Sequence, residues 1–353
     1  MHPISNKLAI WYKKNKRDLP WRNITDPYKI WLSEIILQQT QVVQGLNYYI
    51  KFIETFPTVT DLANAPEDQV MRLWQGLGYY SRARNLHTAA KFIQATYKGK
   101  FPNTYESIKE LKGVGDYTSA AIASFAFNLP HAVVDGNVNR VLARLFDLHT
   151  PINSTQGKKE FQLLADDLLN SKQPSLHNSA IMEFGALWCK PQNPKCETCV
   201  LQEHCMAFKH DTVSVLPIKN KTIKIKNRYF NYIVFNYKQD VYLTKRTEKD
   251  IWQNLYEFLL IETDVESSEL TILNHKTLTN LISEFTVSSI VPVKKHILSH
   301  QHLYATFYEL KINKPLKHPS LFKIKRSELE AYALPQLINK YLDTKSLFKF
   351  MLK

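Results

Sequence analysis

All four cysteines of this 353-residue chain lie in one short stretch, which constrains the fold more than any other part of the sequence. Cys189, Cys196, Cys199 and Cys205 are spaced Cys-x6-Cys-x2-Cys-x5-Cys. A disulfide framework spreads its bridges across a small secreted domain, whereas clustered cysteines in a large chain are typical of metal ligands in a reducing compartment. Structural zinc sites usually pair their ligands in two short loops, and only one pair here is close. The spacing therefore favours a cuboidal iron–sulfur cluster over zinc and over four ordinary buried thiols.

The charge of the chain points to a polyanionic partner. Lys and Arg total 46 against 32 Asp and Glu, a net charge of +14. Nucleic acid is the first candidate for such a partner and an anionic membrane the second. Only 9 of the 353 residues are glycine, about 2.5% against the usual ~7%. This scarcity argues against the glycine-rich loops of Rossmann and P-loop folds. No apolar run approaches the ~18 residues of a membrane span, and residues 1–22 lack the apolar core of a secretory signal.

The first part of the chain, residues 1–211, has the pattern of a mostly helical domain. Asp26-Pro27 is typical of a helix start, with Asp as the N-cap and Pro at the first helical position. The residues from Tyr28 to Ile53 then predict one continuous helical segment. Residues 212–228 contain Pro217 and five basic residues but no acid. This composition predicts an exposed basic linker.

The remaining residues, 229–353, predict a separate α+β domain. β-branched and aromatic residues alternate there as they do in strands. The strand-like segments are Tyr229–Tyr237, Asp240–Lys245, Glu257–Ile261 and Leu303–Ile312, and Asn280–Phe285 has a helical pattern.

Two motifs of the helical domain indicate phosphate and carboxylate chemistry. Gly113 and Gly115 lie in a turn between predicted helices, where backbone N–H groups and the positive helix end form a seat for phosphate. An ordinary helix–helix turn explains the same pattern equally well. Asp135 follows twenty residues after Gly115 and precedes a helix start. It is either an N-cap or a site residue, and these two roles are compatible.

Together with the cysteine spacing, these motifs resemble the endonuclease III superfamily of helix-hairpin-helix DNA glycosylases. Bifunctional members carry a nucleophilic Lys at the position that Tyr117 occupies here. The residues from Trp31 to Val42 and from Gly76 to Leu86 resemble MutY-type adenine DNA glycosylases. The resemblance is dense up to about residue 210. It continues loosely through the C-terminal part, which is similar to the Nudix-like domain that reads 8-oxoguanine.

This resemblance implies a mostly α helix-hairpin-helix domain with a [4Fe-4S] cluster in the loop 189–205, followed by a Nudix-like α+β domain. The implied reaction is hydrolysis of the N-glycosidic bond of adenine mispaired with 8-oxoguanine or guanine. Glu34 would protonate N7 of adenine, Asp135 would stabilise or transiently attack the oxocarbenium-like sugar, and Tyr117 would hydrogen-bond within this pair. The apolar helix around Glu34 should raise its pKa, so that it holds a proton near neutral pH.

Three alternatives stand beside this interpretation. In the first, Glu34 is a partly buried structural carboxylate without a role in catalysis. In the second, the protein is a bifunctional endonuclease III-like glycosylase and AP lyase; Tyr117 argues against it, because this residue offers no amine for a Schiff base. The last alternative is a catalytically silent binder of DNA structures.

The resemblance also implies a set of DNA contacts. They are Trp21 and Arg22 at the mouth of the adenine pocket, the wedge residues Gln39 and Tyr79, their neighbours Thr40, Leu77 and Gly78, and the hairpin glycines Gly113 and Gly115. Ser179 matches a position that is usually Gln or Glu, and its hydroxyl reaches less far. Ser299 and His300 match a Phe-Ser-His loop that contacts 8-oxoguanine, with Leu298 in place of the aromatic residue.

The implied partner is double-stranded DNA with A:8-oxoguanine or A:G mispairs. A monomer would bind it at the nucleoid, in the cytoplasm of a bacterium, without a membrane. Residues 229–300 lack the Glu cluster that binds metal in Nudix hydrolases, so no hydrolase activity is expected in this domain.

Overall fold

The computed structural model describes residues 2–220 and 225–351, and the first part of the chain is helical. Its helices are α1 (Pro3–Asn15), α2 (Pro27–Leu37), α3 (Val42–Thr55), α4 (Val59–Asn64), α5 (Glu67–Leu73), α6 (Ser81–Tyr97), α7 (Tyr105–Lys109), α8 (Asp116–Phe127), α9 (Gly136–Phe146), α10 (Thr155–Leu168), α11 (Pro174–Leu187) and α12 (Met206–Lys209). None of the helices in the described part of the chain combines the length and apolar character that a membrane span requires.

Helix α2 begins where the sequence predicts. The Asp26 side chain accepts hydrogen bonds from the backbone N–H groups of Tyr28 and Lys29, at 3.0 and 3.2 Å. The prediction of one continuous helix from Tyr28 to Ile53 is wrong, because α2 ends at Leu37 and α3 begins at Val42. The polar residues between them have no apolar side chain to bury, and Gln39 adopts a left-handed backbone with φ of 53°. The break leaves Gln39 exposed on a turn.

The helical core packs α1, α9 and α11 against one another. Leu8, Phe161 and Ala180 are fully buried there, and the Trp11 ring meets the Phe184 ring edge-on at 5.0 Å. Burying a side chain of this size stabilises the fold by about 1.5–3 kcal/mol. This packing fixes the start of α9 and the end of α11, from which the candidate site and the cysteine loop extend.

The chain divides into two compact units, and each unit is built from two separate stretches of the sequence. One unit comprises Met1–Asn64 and Asn85–Lys221, and the other comprises Ala65–Arg84 and Thr222–Lys353. Helix α5 therefore packs with the C-terminal part. Within that unit, Asp68 accepts a hydrogen bond from the Tyr256 hydroxyl at 2.7 Å and pairs with Lys245 at 2.8 Å. Nothing in the local sequence pattern indicated this grouping, and the boundaries at residues 211 and 229 remain predictions.

The second unit is built on a mixed sheet, which confirms the α+β prediction. Its strands are β1 (Lys226–Tyr237), β2 (Asp240–Lys245), β3 (Tyr256–Glu257), β4 (Leu259–Thr263), β5 (Thr286–Ile297), β6 (Gln301–Lys311) and β7 (Phe322–Lys325), and its further helices are α13 (Glu269–Leu273), α14 (Lys276–Thr279) and α15 (Gln336–Met351). The strand order is β3-β2-β1-β6-β5, with β4 also on β1 and β7 also on β2. Strands β1 and β6 run parallel, and the other pairs are antiparallel.

One strand of this unit was missed, and one local prediction is wrong. Strand β5 was not predicted, because it lies at the sheet edge and mixes exposed polar residues with Pro292. Asn280–Phe285 is not helical, since α14 ends at Thr279. Its apolar residues Ile282 and Phe285 instead pack on the core from an irregular segment.

Two residues of the segment 212–228 are less exposed than its composition predicts. Leu216 is only 2% exposed and belongs to the helical core, and Arg228 is 8% exposed and lies in β1. The prediction of an exposed linker is therefore wrong for these two residues, because packing decides the burial of each side chain. Residues 221–224, with the basic Lys221 and Lys224, lie outside the described residues.

Candidate active site and cysteine loop

A cavity of about 630 Å³ opens in the first unit where α2, α8, α9 and α11 meet. This volume lies in the range of ligand pockets. Seven residues predicted to form the site line it, namely Trp21, Arg22, Glu34, Thr40, Tyr117, Asp135 and Ser179.

Glu34 is held inside the apolar wall of this cavity. It lies on α2 among buried residues that include Trp31, Ile35 and Ile36, and it is 9% exposed. Burial raises the pKa of Glu34 to about 7. The Tyr117 hydroxyl donates a hydrogen bond to Oε2 of Glu34 at 2.8 Å, which opposes the rise in pKa. A carboxyl in this environment is poised to donate a proton near neutral pH.

Asp135 is both the N-cap of α9 and part of the cavity wall. Its Oδ1 accepts hydrogen bonds from the backbone N–H groups of Asn137 and Val138 at 2.8 and 2.7 Å, and its Oδ2 accepts one from the Asn137 amide at 2.8 Å. Burial raises the pKa of Asp135, and these donors oppose the rise because they stabilise the carboxylate. The fixed donors orient the carboxylate toward the cavity that Glu34 also lines.

An ion network around the buried Glu183, which the sequence did not predict, holds Arg22 at the cavity wall. Glu183 accepts hydrogen bonds from the Arg17 guanidinium at 2.7 and 2.8 Å and from its backbone N–H at 2.9 Å. The Arg22 guanidinium lies 3.6 Å from Glu183 and donates to the Ser179 hydroxyl at 3.1 Å. An acid in the apolar end of α11 was the signal for Glu183, and it is the same signal that identified Glu34. Trp21 packs edge-on against Tyr49 at 5.1 Å.

A second unpredicted connection runs from the carboxylate to the cysteine loop. The Asn137 side chain, which binds Asp135, accepts a hydrogen bond from Arg140 at 3.0 Å. Arg140 also donates to the backbone carbonyl of Cys189 at 2.7 Å. Arg144, one turn further along α9, donates to the Cys189 sulfur at 3.4 Å. Two arginines of one helix therefore tie the loop to the helix that Asp135 caps.

The four cysteines line one small apolar cavity together with Val141, Phe184 and Trp188. Four cysteine thiolates are the donors that hold a cuboidal iron–sulfur cluster. The donor set therefore fits an iron–sulfur cluster. Such a cluster would tie the loop together and offset part of the negative charge of the four thiolates.

The hairpin glycines occupy positions that suit phosphate binding. Gly113 has φ of 82°, and a Cβ there would come within 2.8 Å of the Asn85 side chain. Gly115 is the N-cap of α8 and provides no capping side chain, so the first N–H groups of the helix are open to a ligand. Asp116 follows and is paired with Lys109, a contact that offsets its negative charge.

The loop before α6 carries the predicted wedge residue Tyr79 and its neighbour Leu77, whose side chains differ in exposure. Tyr79 is 44% exposed, with φ of 46°, on a loop that contains Gly76 and Gly78 at positive φ. The Arg82 guanidinium lies 5.6 Å from the Tyr79 ring and donates to the Gly78 carbonyl at 3.2 Å. Leu77 is only 6% exposed, so its side chain packs in the core. Its contact with DNA stays a prediction.

Ser299 and His300 lie at the tip of the hairpin that joins β5 to β6. The backbone N–H of Leu298 donates to the Gln301 carbonyl at 2.8 Å and closes the turn. Both tip residues are exposed, and the Ser299 hydroxyl lies 3.3 Å from Nδ1 of His300.

Three family models match the chain. Residues 32–166 match the HhH-GPD superfamily of base excision DNA repair proteins, residues 189–205 match the iron-sulfur binding domain of endonuclease III, and residues 231–344 match a NUDIX domain. The second match covers the whole cysteine loop, and the cofactor of the protein is a [4Fe-4S] cluster.

Curated relatives and solved structures agree with these matches. An adenine DNA glycosylase of Buchnera aphidicola is 36% identical over 86% of this chain and 85% of that protein. The human adenine DNA glycosylase is 42% identical over 57% of this chain, which is 38% of its own length. A thermostable thymine-DNA glycosylase is 30% identical with a TM-score of 0.55, covering 59% of this chain and 95% of that structure. The fold also matches an endonuclease III–DNA complex at 22% identity and a TM-score of 0.51, over 59% of this chain and 94% of that one. The chain belongs to the adenine DNA glycosylase family, whose members are base excision repair enzymes that act on DNA.

Proposed function

We propose that this enzyme excises adenine mispaired with 8-oxoguanine or guanine and that it leaves the DNA strand intact. The observation that carries the proposal is the hydrogen bond of 2.8 Å from Tyr117 to Glu34 in a cavity that Asp135 also lines. This arrangement supplies an acid for the leaving base and a carboxylate for the sugar, the division of labour used in glycoside hydrolysis.

Glu34 is the acid of the proposed reaction. The flipped adenine enters the cavity at a cost of a few kcal/mol for unstacking. Neutral adenine is a poor leaving group, and a proton on N7 lets it depart with the electron pair of the C1′–N9 bond. A pKa of about 7 suits this transfer, because the acid is then protonated in an appreciable fraction of molecules and still gives up its proton readily.

Asp135 stabilises the sugar that remains. Loss of adenine leaves positive charge on C1′ and the ring oxygen, and the carboxylate held by Asn137 and Val138 faces the same cavity. It stabilises this charge or forms a transient bond to C1′. Water then adds at C1′ and gives up a proton, which completes the hydrolysis.

The absence of an amine keeps the reaction monofunctional in this proposal. Tyr117 stands where a lyase would carry its Lys, and its hydroxyl is bonded to Glu34. Asn139, which replaces a Lys of some relatives, donates its side-chain amide to the Asp135 carbonyl at 3.0 Å. Neither residue can form a Schiff base with the sugar.

The remaining contacts with DNA belong to the same proposal. Gln39 and Tyr79 would fill the space that the flipped adenine leaves, and the hairpin with Ser299 and His300 would read the opposite base. The domains are proposed at residues 1–211 and 229–353. A monomer would act on A:8-oxoguanine and A:G pairs of the bacterial nucleoid.

The pH dependence of adenine release tests this function. Above pH 7 the single-turnover rate on an A:8-oxoguanine duplex should fall about tenfold per pH unit, because Glu34 loses its proton. Tyr117→Phe removes a hydrogen bond that lowers the pKa of Glu34, so the decline should move to higher pH. A wild-type rate that stays constant from pH 7 to 9 contradicts the role of Glu34.

A further inference from the structure

Five charged side chains of the second unit form a charge cluster that the proposed reaction does not use. Its members are Arg228, Arg246, Asp250, Glu257 and Glu262. Arg228 donates to both oxygens of Asp250 at 2.9 and 2.7 Å and to both oxygens of Glu262 at 2.6 Å. The Arg246 guanidinium donates to one oxygen of Asp250 at 2.8 Å and to both oxygens of Glu257, also at 2.8 Å. The side chains of Arg228, Arg246 and Glu257 are less than a tenth exposed.

Arg228 connects this cluster to the β5–β6 hairpin that carries Ser299 and His300. Its Nη1 donates to the side-chain oxygen of Gln301 at 3.2 Å. Gln301 closes the hairpin turn by accepting from the Leu298 N–H, and the backbone N–H of Lys226 donates to the His300 carbonyl at 3.1 Å. The strand that carries Arg228 is therefore bound to the last two residues of the turn.

The other side of the hairpin rests on the same cluster. Trp252 follows Asp250 by two residues, is 8% exposed, and meets the His296 ring at 6.0 Å. His296 lies on β5, two residues before Leu298. Trp252 also packs edge-on against Phe230 at 6.1 Å, and the Arg228 guanidinium lies 4.8 Å from that same ring.

Stability alone is a weak reason for such a cluster. Buried ion pairs contribute little compared with apolar residues of the same volume, since their desolvation offsets the attraction between the charges. They do impose one geometry, because an Arg bonded to two carboxylates has a fixed plane. Here that fixed plane presents its remaining contact to Gln301, beside exposed residues that have no core of their own to hold them.

We propose that Arg228 is a positioning residue for recognition of the base opposite adenine. Through its hydrogen bond to Gln301, Arg228 holds the hairpin Leu298–Gln301 in the conformation that contacts this base. This inference rests on the proposed function, since Ser299 and His300 must read the base opposite adenine. Arg228 touches neither DNA nor the adenine cavity in this role. Its loss should therefore change the preference for 8-oxoguanine and leave the chemistry of excision intact.

The test uses full-length Arg228→Gln and Gln301→Met. The second variant breaks the contact with the hairpin while keeping every ion pair of the cluster, so it serves even where Arg228→Gln folds poorly. Lys323→Gln is the matched control, because it removes an exposed ion pair with Asp240 from the same sheet, away from the hairpin. The measurement is the ratio of kcat/KM for adenine release from A:8-oxoguanine and A:G duplexes.

Both hairpin variants should lower this ratio about tenfold, the magnitude of one lost reading hydrogen bond. Their rates on A:G and the ratio of Lys323→Gln should stay at the wild-type values. Combining Gln301→Met with Ser299→Ala should lower the ratio no further than Ser299→Ala alone, and amide exchange at residues 298–301 should accelerate in Gln301→Met.

Two outcomes separate the inference from the function on which it rests. An unchanged ratio in Ser299→Ala means that the hairpin does not read the opposite base, and the proposed reading role then fails. A lowered ratio in Ser299→Ala with an unchanged ratio in Gln301→Met overturns the positioning role of Arg228 alone. Equal losses on both duplexes also overturn it, because they indicate general damage to the fold.

Discussion

Glu34→Gln should make the protein more stable and much less active, and the gain in stability should depend on pH. The wild-type carboxyl must lose its proton in a buried position as the pH rises, whereas Gln remains neutral at every pH. Gln has nearly the same shape, and its side-chain oxygen can still accept the hydrogen bond from Tyr117. The burial that supports catalysis is thus expected to cost stability.

The magnitude follows from the pKa. Burial raises the pKa of Glu34 from 4.5 to about 7, and at roughly 1.4 kcal/mol per pH unit this interval corresponds to roughly 3 kcal/mol. Below pH 4.5 both states of the wild type are protonated and the penalty is absent. Between pH 4.5 and 7 the unfolded chain releases its proton first, so the free energy of unfolding of the wild type falls. Above pH 7 the penalty is complete.

Thermal unfolding of wild type and Glu34→Gln between pH 4.5 and 9 measures this effect. At about 2–4 °C per kcal/mol for a domain of this size, the difference in Tm should widen by roughly 6–12 °C and then level off above pH 7. Adenine release by the variant should fall by at least ~10²-fold, the usual contribution of a general acid.

Glu183→Gln is the control of opposite sign. Burial raises the pKa of Glu183, but the hydrogen bonds from Arg17 outweigh burial and hold this pKa below its usual value. The wild type therefore gains stability above pH 4.5 that the variant lacks, and the loss should vanish in acid. A Tm difference for Glu34→Gln that does not change with pH would refute the perturbed pKa of Glu34.

Three further predictions concern the other parts of the site. Asp135→Asn should lower the single-turnover rate of adenine release by ~10²-fold or more. Its Tm should stay within a few degrees of the wild type, because Asn is an equally good N-cap for the N–H groups of Asn137 and Val138. Cys199→Ser should reduce the absorbance near 400 nm and weaken DNA binding in a titration before it affects the rate of bound complexes; normal binding of mispaired DNA by the apo-protein would contradict this. Tyr79→Ala should slow base flipping, which 2-aminopurine fluorescence measures, and should leave the pH profile of excision unchanged.

The residues whose chemistry depends on local sequence could be predicted well. The apolar neighbours of Glu34 indicated its raised pKa, the helix start indicated the N-cap position of Asp135, and the spacing of the four cysteines indicated the cluster. In each case the decisive neighbours lie within a few positions along the chain, so periodicity and spacing carry the information.

The residues that depend on tertiary packing could not be predicted. Arg17 and Glu183 are 166 positions apart and meet only because α1 packs on α11. Arg228 had the composition of an exposed linker, yet it is buried because its two carboxylate partners lie 22 and 34 positions further along the chain. The turn at Gln39 likewise depends on where α3 packs, since the polar residues there permit either a helix or a break.

Adenine release from three duplexes tests the proposed function most directly. Single-turnover assays would use A opposite 8-oxoguanine, A opposite guanine and A opposite thymine, each read with and without alkali. We expect fastest release opposite 8-oxoguanine, slower release opposite guanine and none opposite thymine, with strand breaks only after alkali. Strand cleavage without alkali, or equal release from the A:T duplex, would contradict a monofunctional adenine glycosylase that reads the opposite base.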